Sequence, residues 1–240
     1  MKLLHSLVTV MLLGTLSANG AIYSENFDGL TPGAIAGQDG WAGPGNVVAG
    51  TVFGSGSQVL DLGASSTFNT RSISGISGQD IYYGFSIDLG TTTAGVTANE
   101  TFVRLNGWGT YIALKAENTN SVEVDLGGGG ATVMAAPGIV NGSQHRVVGK
   151  LSWVGGAFTN HEVFLNPVGP EGANTAIASN TGSDALGTIT LEMRNQNVST
   201  NVDDLIFTTS FTEAIPEPGM VGLLGLGCIL VIWYRRHIRA

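Results

Sequence analysis

Four carboxylates near the two ends of the central part of the chain are the first candidates for chemistry. Glu25 and Asp28 lie three residues apart, and Asp203 and Asp204 are adjacent. Calcium takes about six to eight hard oxygen ligands, carboxylate and main-chain carbonyl alike. If the first and last strands lie side by side, these acids converge on a structural calcium ion. The alternative is ordinary exposed acids at strand ends. A second candidate is Ser121-Val122-Glu123-Val124-Asp125-Leu126. Period two puts Glu123 and Asp125 on one face and Val122, Val124 and Leu126 on the other. Two carboxylates on one face can flank a glycosidic bond. A third is Trp108, inside Asn106-Gly107-Trp108-Gly109. A ring in a glycine-flanked turn can stack on a sugar face, and the alternative is a capping or core aromatic. The same choice holds for Trp41 and Trp153, and Trp153, at a strand end, reads as core.

Other chemistries lack their residues. His145 and His161 are the only histidines between Ala21 and Glu213, and no His-Glu-x-x-His spacing occurs. No Gly-x-Ser-x-Gly elbow precedes a helix. Gly127-Gly128-Gly129-Gly130 has no following Lys, so it reads as a connection and not a phosphate loop. The single cysteine, Cys228, falls in the C-terminal apolar stretch, which leaves the central part without thiol catalysis, disulfides or Cys-ligated zinc. Of 10 Lys and Arg, Lys2, Arg235, Arg236 and Arg239 are terminal; of 18 Asp and Glu, only Glu217 is. The central part therefore carries 6 cations against 17 anions, a net charge of −11. Binding phosphates needs clustered Lys and Arg, so no nucleic-acid partner is expected.

The elements that must position these residues read as strands. Runs such as Ile81–Leu89, Thr101–Leu105, Tyr111–Ala116, Ser121–Leu126, His145–Trp153, His161–Leu165, Ile189–Arg194 and Leu205–Phe207 alternate or are rich in β-branched residues. They sit between Gly, Asn and Ser clusters, with Asn118-Thr119-Asn120 as a hairpin turn. Many short strands and no long amphipathic helix indicate an all-β antiparallel β-sandwich, or jelly roll.

The termini read differently. Lys2, the apolar Leu3–Leu16 and Ala18-Asn19-Gly20 match a secretory signal peptide over 1–20, cut after Gly20 by signal peptidase following passage through the secretion translocon. At the other end, Pro216-Glu217-Pro218 precedes the uncharged Gly219–Tyr234, then Arg235, Arg236 and Arg239. Sixteen residues make about 24 Å of helix, short of a bilayer core of about 30 Å. The arginines fit a cytoplasmic stop. This order resembles the PEP-CTERM sorting signal of Gram-negative bacteria. The resemblance implies a 214–240 sorting tail with a transmembrane helix at 219–234, recognition by an exosortase, and Pro216, Glu217 and Pro218 as substrate residues. It implies a transiently inner-membrane-anchored protein destined for the cell surface or an exopolysaccharide matrix.

The 21–213 segment carries a looser resemblance. Tyr23–Leu30, Gly37–Trp41, His145–Leu151 and Val202–Phe211 look like concanavalin A-like or laminin-G-like jelly rolls. Laminarinase-type glycanases on that fold carry Glu-x-Asp-x-x-Glu. Here Glu123 and Asp125 begin the pattern, and Gly128 stands at the acid/base position. A retaining mechanism needs both groups. The expectation is a non-catalytic surface or matrix protein without a cofactor other than structural calcium. The alternative is a carbohydrate-binding, lectin-like module that holds extracellular polysaccharide, with a glycoside hydrolase as a third reading.

Overall fold

A computed structural model describes residues 21–54, 56–91, 99–106, 109–116 and 119–215. In chain order its strands are β1 (Ala21–Glu25), β2 (Gly33–Ala34), β3 (Asn46–Ala49), β4 (Gln58–Asp61) and β5 (Asn69–Ser74). Next come β6 (Ile81–Asp88), β7 (Asn99–Arg104), β8 (Thr110–Ala116), β9 (Ser121–Leu126) and β10 (Thr132–Ala135). The last are β11 (Gln144–Val154), β12 (Ala157–Leu165), β13 (Ala178–Asp184), β14 (Thr188–Asn195) and β15 (Asn201–Thr208), followed by one helical turn, α1 (Phe211–Ala214). Among the described residues these form two sheets. The nine-stranded sheet runs β13-β12-β11-β6-β15-β4-β3-β2, with β1 also paired to β15. The six-stranded sheet runs β10-β9-β8-β7-β14-β5. The strand pairs are antiparallel.

The antiparallel β-sandwich follows from the alternation. Val122, Val124 and Leu126 of β9 and Ile112 and Leu114 of β8 are fully buried, as are Tyr83, Phe85 and Ile87 of β6. They meet in one core between the sheets. The expected N-terminal signal helix and C-terminal transmembrane helix do not extend this picture. Among the described residues, helical structure is limited to α1 and a 3-10 turn at Glu171–Ala173, and no helix is long and apolar enough to cross a membrane. The segments expected to carry such helices, 1–20 and 219–234, lie outside the described residues. Inside the sandwich the apolar residues follow a period of two, which commits them to strands.

A buried polar bridge ties the sheets. His161 of β12 is completely enclosed, and its ring nitrogens contact the Tyr83 hydroxyl at 2.6 Å and the Asp125 carbonyl at 2.9 Å. A carbonyl only accepts, so Nδ1–H donates to Asp125 and Nε2 accepts from Tyr83. Tyr83 reaches this position across Gly149: a β-carbon there would lie 2.0 Å from the phenol Cζ. Burial pushes the His161 imidazole down to about 4, against the opposing hydrogen bond to Asp125.

On the outward side of the nine-stranded sheet, α1 packs flat on β6. Phe211 meets Tyr82 at 5.8 Å and Phe164 at 5.0 Å between ring centroids. Gly84 makes this approach possible, because a β-carbon there would lie 1.7 Å from the Ala214 carbonyl oxygen.

Two outcomes are expected. The unfolded chain protonates His161 near 6.5 and the folded chain only near 4, so the unfolded state binds more protons between those values. The His161 contribution to stability, present above pH 6.5, should therefore fall by about 3 kcal/mol as pH drops to 4, while the raised Asp203 carboxyl acts in the opposite sense. Urea unfolding of the wild type and of His161→Gln across that window isolates it: the difference between the two should change by about that amount. Gly84→Ala should lift α1, lower the Tm by about 5 °C and open the 209–215 segment to limited proteolysis.

Candidate functional site

The outward face of the six-stranded sheet is the richest in functional groups. Register aligns its outward residues in rows. One row runs Asp125, Tyr111, Arg104, Glu192 and Thr70 across β9, β8, β7, β14 and β5. The next runs Val133, Glu123, Ala113, Phe102 and Arg194 from β10 to β14. A third places Ser121 beside Lys115 and Lys115 beside Glu100.

The charges in these rows are held in fixed places. Tyr111 donates its hydroxyl proton to Glu123 at 2.5 Å, and Lys115 forms an ion pair with the other Glu123 oxygen. Tyr111, Ala113 and Lys115 alternate along β8, so the two polar side chains meet Glu123 over Ala113, which is fully buried. Arg104 Nε donates to Glu192 at 2.8 Å, and its terminal nitrogen bonds the same oxygen. Rings pack against the cations of these groups. The Arg104 guanidinium is 3.8 Å from the Phe68 ring centroid, and Arg194 lies 4.7 Å from Phe68 and 4.9 Å from Phe102. Phe102, Tyr111 and Ala113 form a small apolar cluster with Phe68.

Hydrogen bonding shifts the titration of Glu123 and Tyr111 in opposite directions. Burial raises Glu123, but hydrogen bonds from Lys115 and Tyr111 outweigh it and hold the carboxyl below the usual carboxylate range. Burial, then the Glu123 hydrogen bond and charge, push the Tyr111 phenol above its ordinary value. A glycosidase acid needs a raised carboxyl, which Glu123 is not. Glu123 and Asp125 do share one face, as their alternation requires. Gly128 turns with φ 72° in the connection beyond β9 and brings no third carboxylate.

The four terminal acids divide into two pairs of surroundings. Asp28 and Asp203 face one another across Gly56. A β-carbon at Gly56 would lie 3.1 and 3.2 Å from the Asp28 oxygens and 3.4 Å from Asp203 Oδ2. Asp28 Oδ1 accepts from Ser57 N–H at 2.7 Å and from Gln58 N–H at 2.9 Å. Burial, then the neighbouring Asp204 charge, raise Asp203 to about 7. Glu25 and Asp204 instead line a separate cleft of about 440 Å³ with Glu213 and Ile215. Glu25 accepts from Phe27 N–H at 2.8 Å. Trp108 lies outside the described residues. Trp41 is 2% exposed and packs tilted on Phe27 at 5.9 Å, and Trp153 meets Phe158 edge-on at 4.9 Å. Sequence reasoning missed Phe68, Phe102, Arg104, Glu192 and Arg194. Their signal was present as the polar phase of alternating runs, but only the β7–β14 and β14–β5 pairings bring them together.

No family model and no curated protein matches the chain. Solved structures do. Endo-β-1,4-glucuronan lyase from the fungus Trichoderma reesei is 14% identical over 83% of this chain and 100% of its own, with a TM-score of 0.50. The T. cruzi calreticulin globular domain is 12% identical over 80% of this chain and 90% of its own, also at 0.50. A structure of botulinum neurotoxin type C, whose cell entry depends on two ganglioside molecules, is 13% identical over 80% and 48%, at 0.50. At these identities the likeness shows the fold.

These findings correct the sorting-tail reading. The similarity found is to β-sandwich structures, no PEP-CTERM family model matches, and no described helix can span a membrane. The exosortase, translocon and signal-peptidase partnerships and the inner-membrane stage fall with it. Pro216, Glu217, Pro218, Arg235, Arg236 and Arg239 lie outside the described residues. A short apolar run beside arginines reports local hydropathy only, and that is too little to name a partner.

The Arg104–Glu192 pair yields a test. Its side chains are only 9% and 18% exposed. Glu192→Gln should cost about 1.5–3 kcal/mol in urea unfolding, as expected for a charge-assisted, largely buried bond. Lys115→Met, at a site with 25% exposure, should cost less.

Proposed function

We propose that this chain is a carbohydrate-binding β-sandwich module that receives a glycan on the outward face of its six-stranded sheet. The observation that carries this reading is the row of ion-paired groups, Arg104–Glu192 and Tyr111–Glu123–Lys115, beside the Phe68 and Phe102 rings that pack against Arg104 and Arg194. A sugar is a polyol with apolar faces. Guanidinium and carboxylate groups can hydrogen-bond neighbouring hydroxyls in pairs, and side chains already held in place lose little entropy on binding. The fold is also compatible, since the glucuronan lyase and the ganglioside-dependent toxin share it, although fold alone does not select a ligand.

The reading extends to ligand charge and to turnover. The face presents three cations, Arg104, Lys115 and Arg194, against the carboxylates of Glu100, Glu123, Asp125 and Glu192. That balance suits a neutral polysaccharide better than a polyuronate. Binding without glycosidase-type cleavage is the expectation, because Glu123, held below the usual carboxylate range, is not the raised carboxyl such an acid requires.

Affinity gel electrophoresis of the full chain against neutral β-glucans and against glucuronan tests this. Retention on a neutral glucan, little changed by salt, is the expected result. Arg104→Ala and Glu123→Ala should each weaken it at least about tenfold, by losing about 1.4 kcal/mol of binding. Lys150→Ala, on the other sheet, should leave it unchanged. No retention on any polysaccharide, or retention indifferent to the Arg104 and Glu123 changes, would remove the proposal.

A further inference from the structure

The gap between Asp28 and Asp203 carries an inference independent of the glycan face. Asp203 sits on β15 just before a break in its register with β6. Its side chain is fully enclosed. Oδ1 accepts from the Asp204 N–H at 2.8 Å, while Oδ2 is buried with no hydrogen-bond partner. That unpartnered oxygen points to the same gap as the Asp28 carboxylate, and Gly56 leaves the gap unfilled. The ion pairs among the described residues do not include either acid. Two carboxylates thus meet across a space that receives no cation from the described residues. An enclosed carboxylate with one oxygen unpartnered and no counter-charge is disfavoured. Something positive must supply the missing partner, either a proton on Asp203 or a bound cation.

We propose that Asp28 and Asp203 hold a divalent cation of the calcium type, which clamps the first loop of the chain to its last strand. Three features favour the cation over the proton. Gly56, with φ 66°, keeps open a space that a side chain would close. The backbone turns left-handed at Phe27, Phe53 and Asp204, beside both acids and the facing loop. Asp28 is itself oriented by Ser57 and Gln58, as a ligand held in place would be. The donor set selects the metal class. No His or Cys is present in the gap, and among the described residues no three acidic, His or Cys side chains cluster to hold a metal alone. Two carboxylates supplemented by carbonyl and water oxygens suit calcium, with its many hard ligands, and not zinc. The assignment differs from the sequence expectation in its members: Glu25 and Asp204 turn to the neighbouring cleft.

The test uses the full chain, stripped with a chelator and titrated with calcium chloride by calorimetry and thermal melting. One calcium per chain is expected, with a Tm rise of about 5–10 °C when calcium stands about a hundredfold above its Kd. Asp28→Asn and Asp203→Asn should lose the response, and Glu25→Gln should keep it. If Asp203→Asn does not fold, the wild-type titration and Asp28→Asn decide. A wild-type protein with neither binding heat nor Tm change at millimolar calcium would overturn the site in favour of a protonated Asp203. So would a response that survives Asp28→Asn, or one that is lost only in Glu25→Gln. Glycan retention is read on a different sheet with different variants, so either proposal can fail without the other.

Discussion

A strand has two faces, and this sandwich commits one face of each sheet to a shared core. Every functional group must then occupy an outward face, a strand end or a loop. The two outward faces are not equivalent. On the nine-stranded sheet, Tyr82, Val148 and Phe164 are covered by Phe211 and Ala214 of α1. The six-stranded sheet carries the Arg104, Tyr111, Lys115, Glu123 and Glu192 layer instead. Gly84 allows this covering, because a β-carbon there would meet the Ala214 carbonyl and keep α1 from lying down on β6.

Buried polar groups separate structure from chemistry here. His161 is satisfied at both nitrogens, by Tyr83 and the Asp125 carbonyl, and links the sheets. Asn195 is likewise enclosed, contacting Asn99 at 2.6 Å, Thr101 at 2.8 Å and Thr200 at 2.5 Å. Asn99 is fully buried in this network. Such groups need no ligand, because their hydrogen bonds close within the fold. Asp203 is the contrast. It has the same burial but leaves one oxygen without a partner, and this asymmetry turns a pair of acids into a candidate site.

The long alternating runs are legible in the sequence alone. Strands β6, β8, β9 and β14 lie within a residue or two of the runs that alternation marks out. The inward placement of Val122, Val124 and Leu126 follows directly. Short strands such as β2 and β3 were not legible, since two to four residues carry no periodic signal. All four acids near the chain ends stand out in the sequence, and only the fold separates them into two surroundings. Adjacent acids Asp203 and Asp204 look alike in the sequence, but Asp203 faces Asp28 across Gly56 while Asp204 lines the neighbouring cleft. The tail reading went astray because hydropathy describes a segment's own solvent preference and nothing about its partners.

Composition and alternation by themselves determined an acidic, disulfide-free, all-β chain with Glu123 and Asp125 on a common face. They could do so because both depend on residue type and on the two-residue repeat of a strand, which are local. Tertiary structure alone decided that β14 lies between β7 and β5, so that Arg104 meets Glu192 over Phe68. It alone decided that Asp28 faces Asp203 across Gly56. Those partners are separated by long stretches of chain, and only the closing of two sheets over one core brings them within reach.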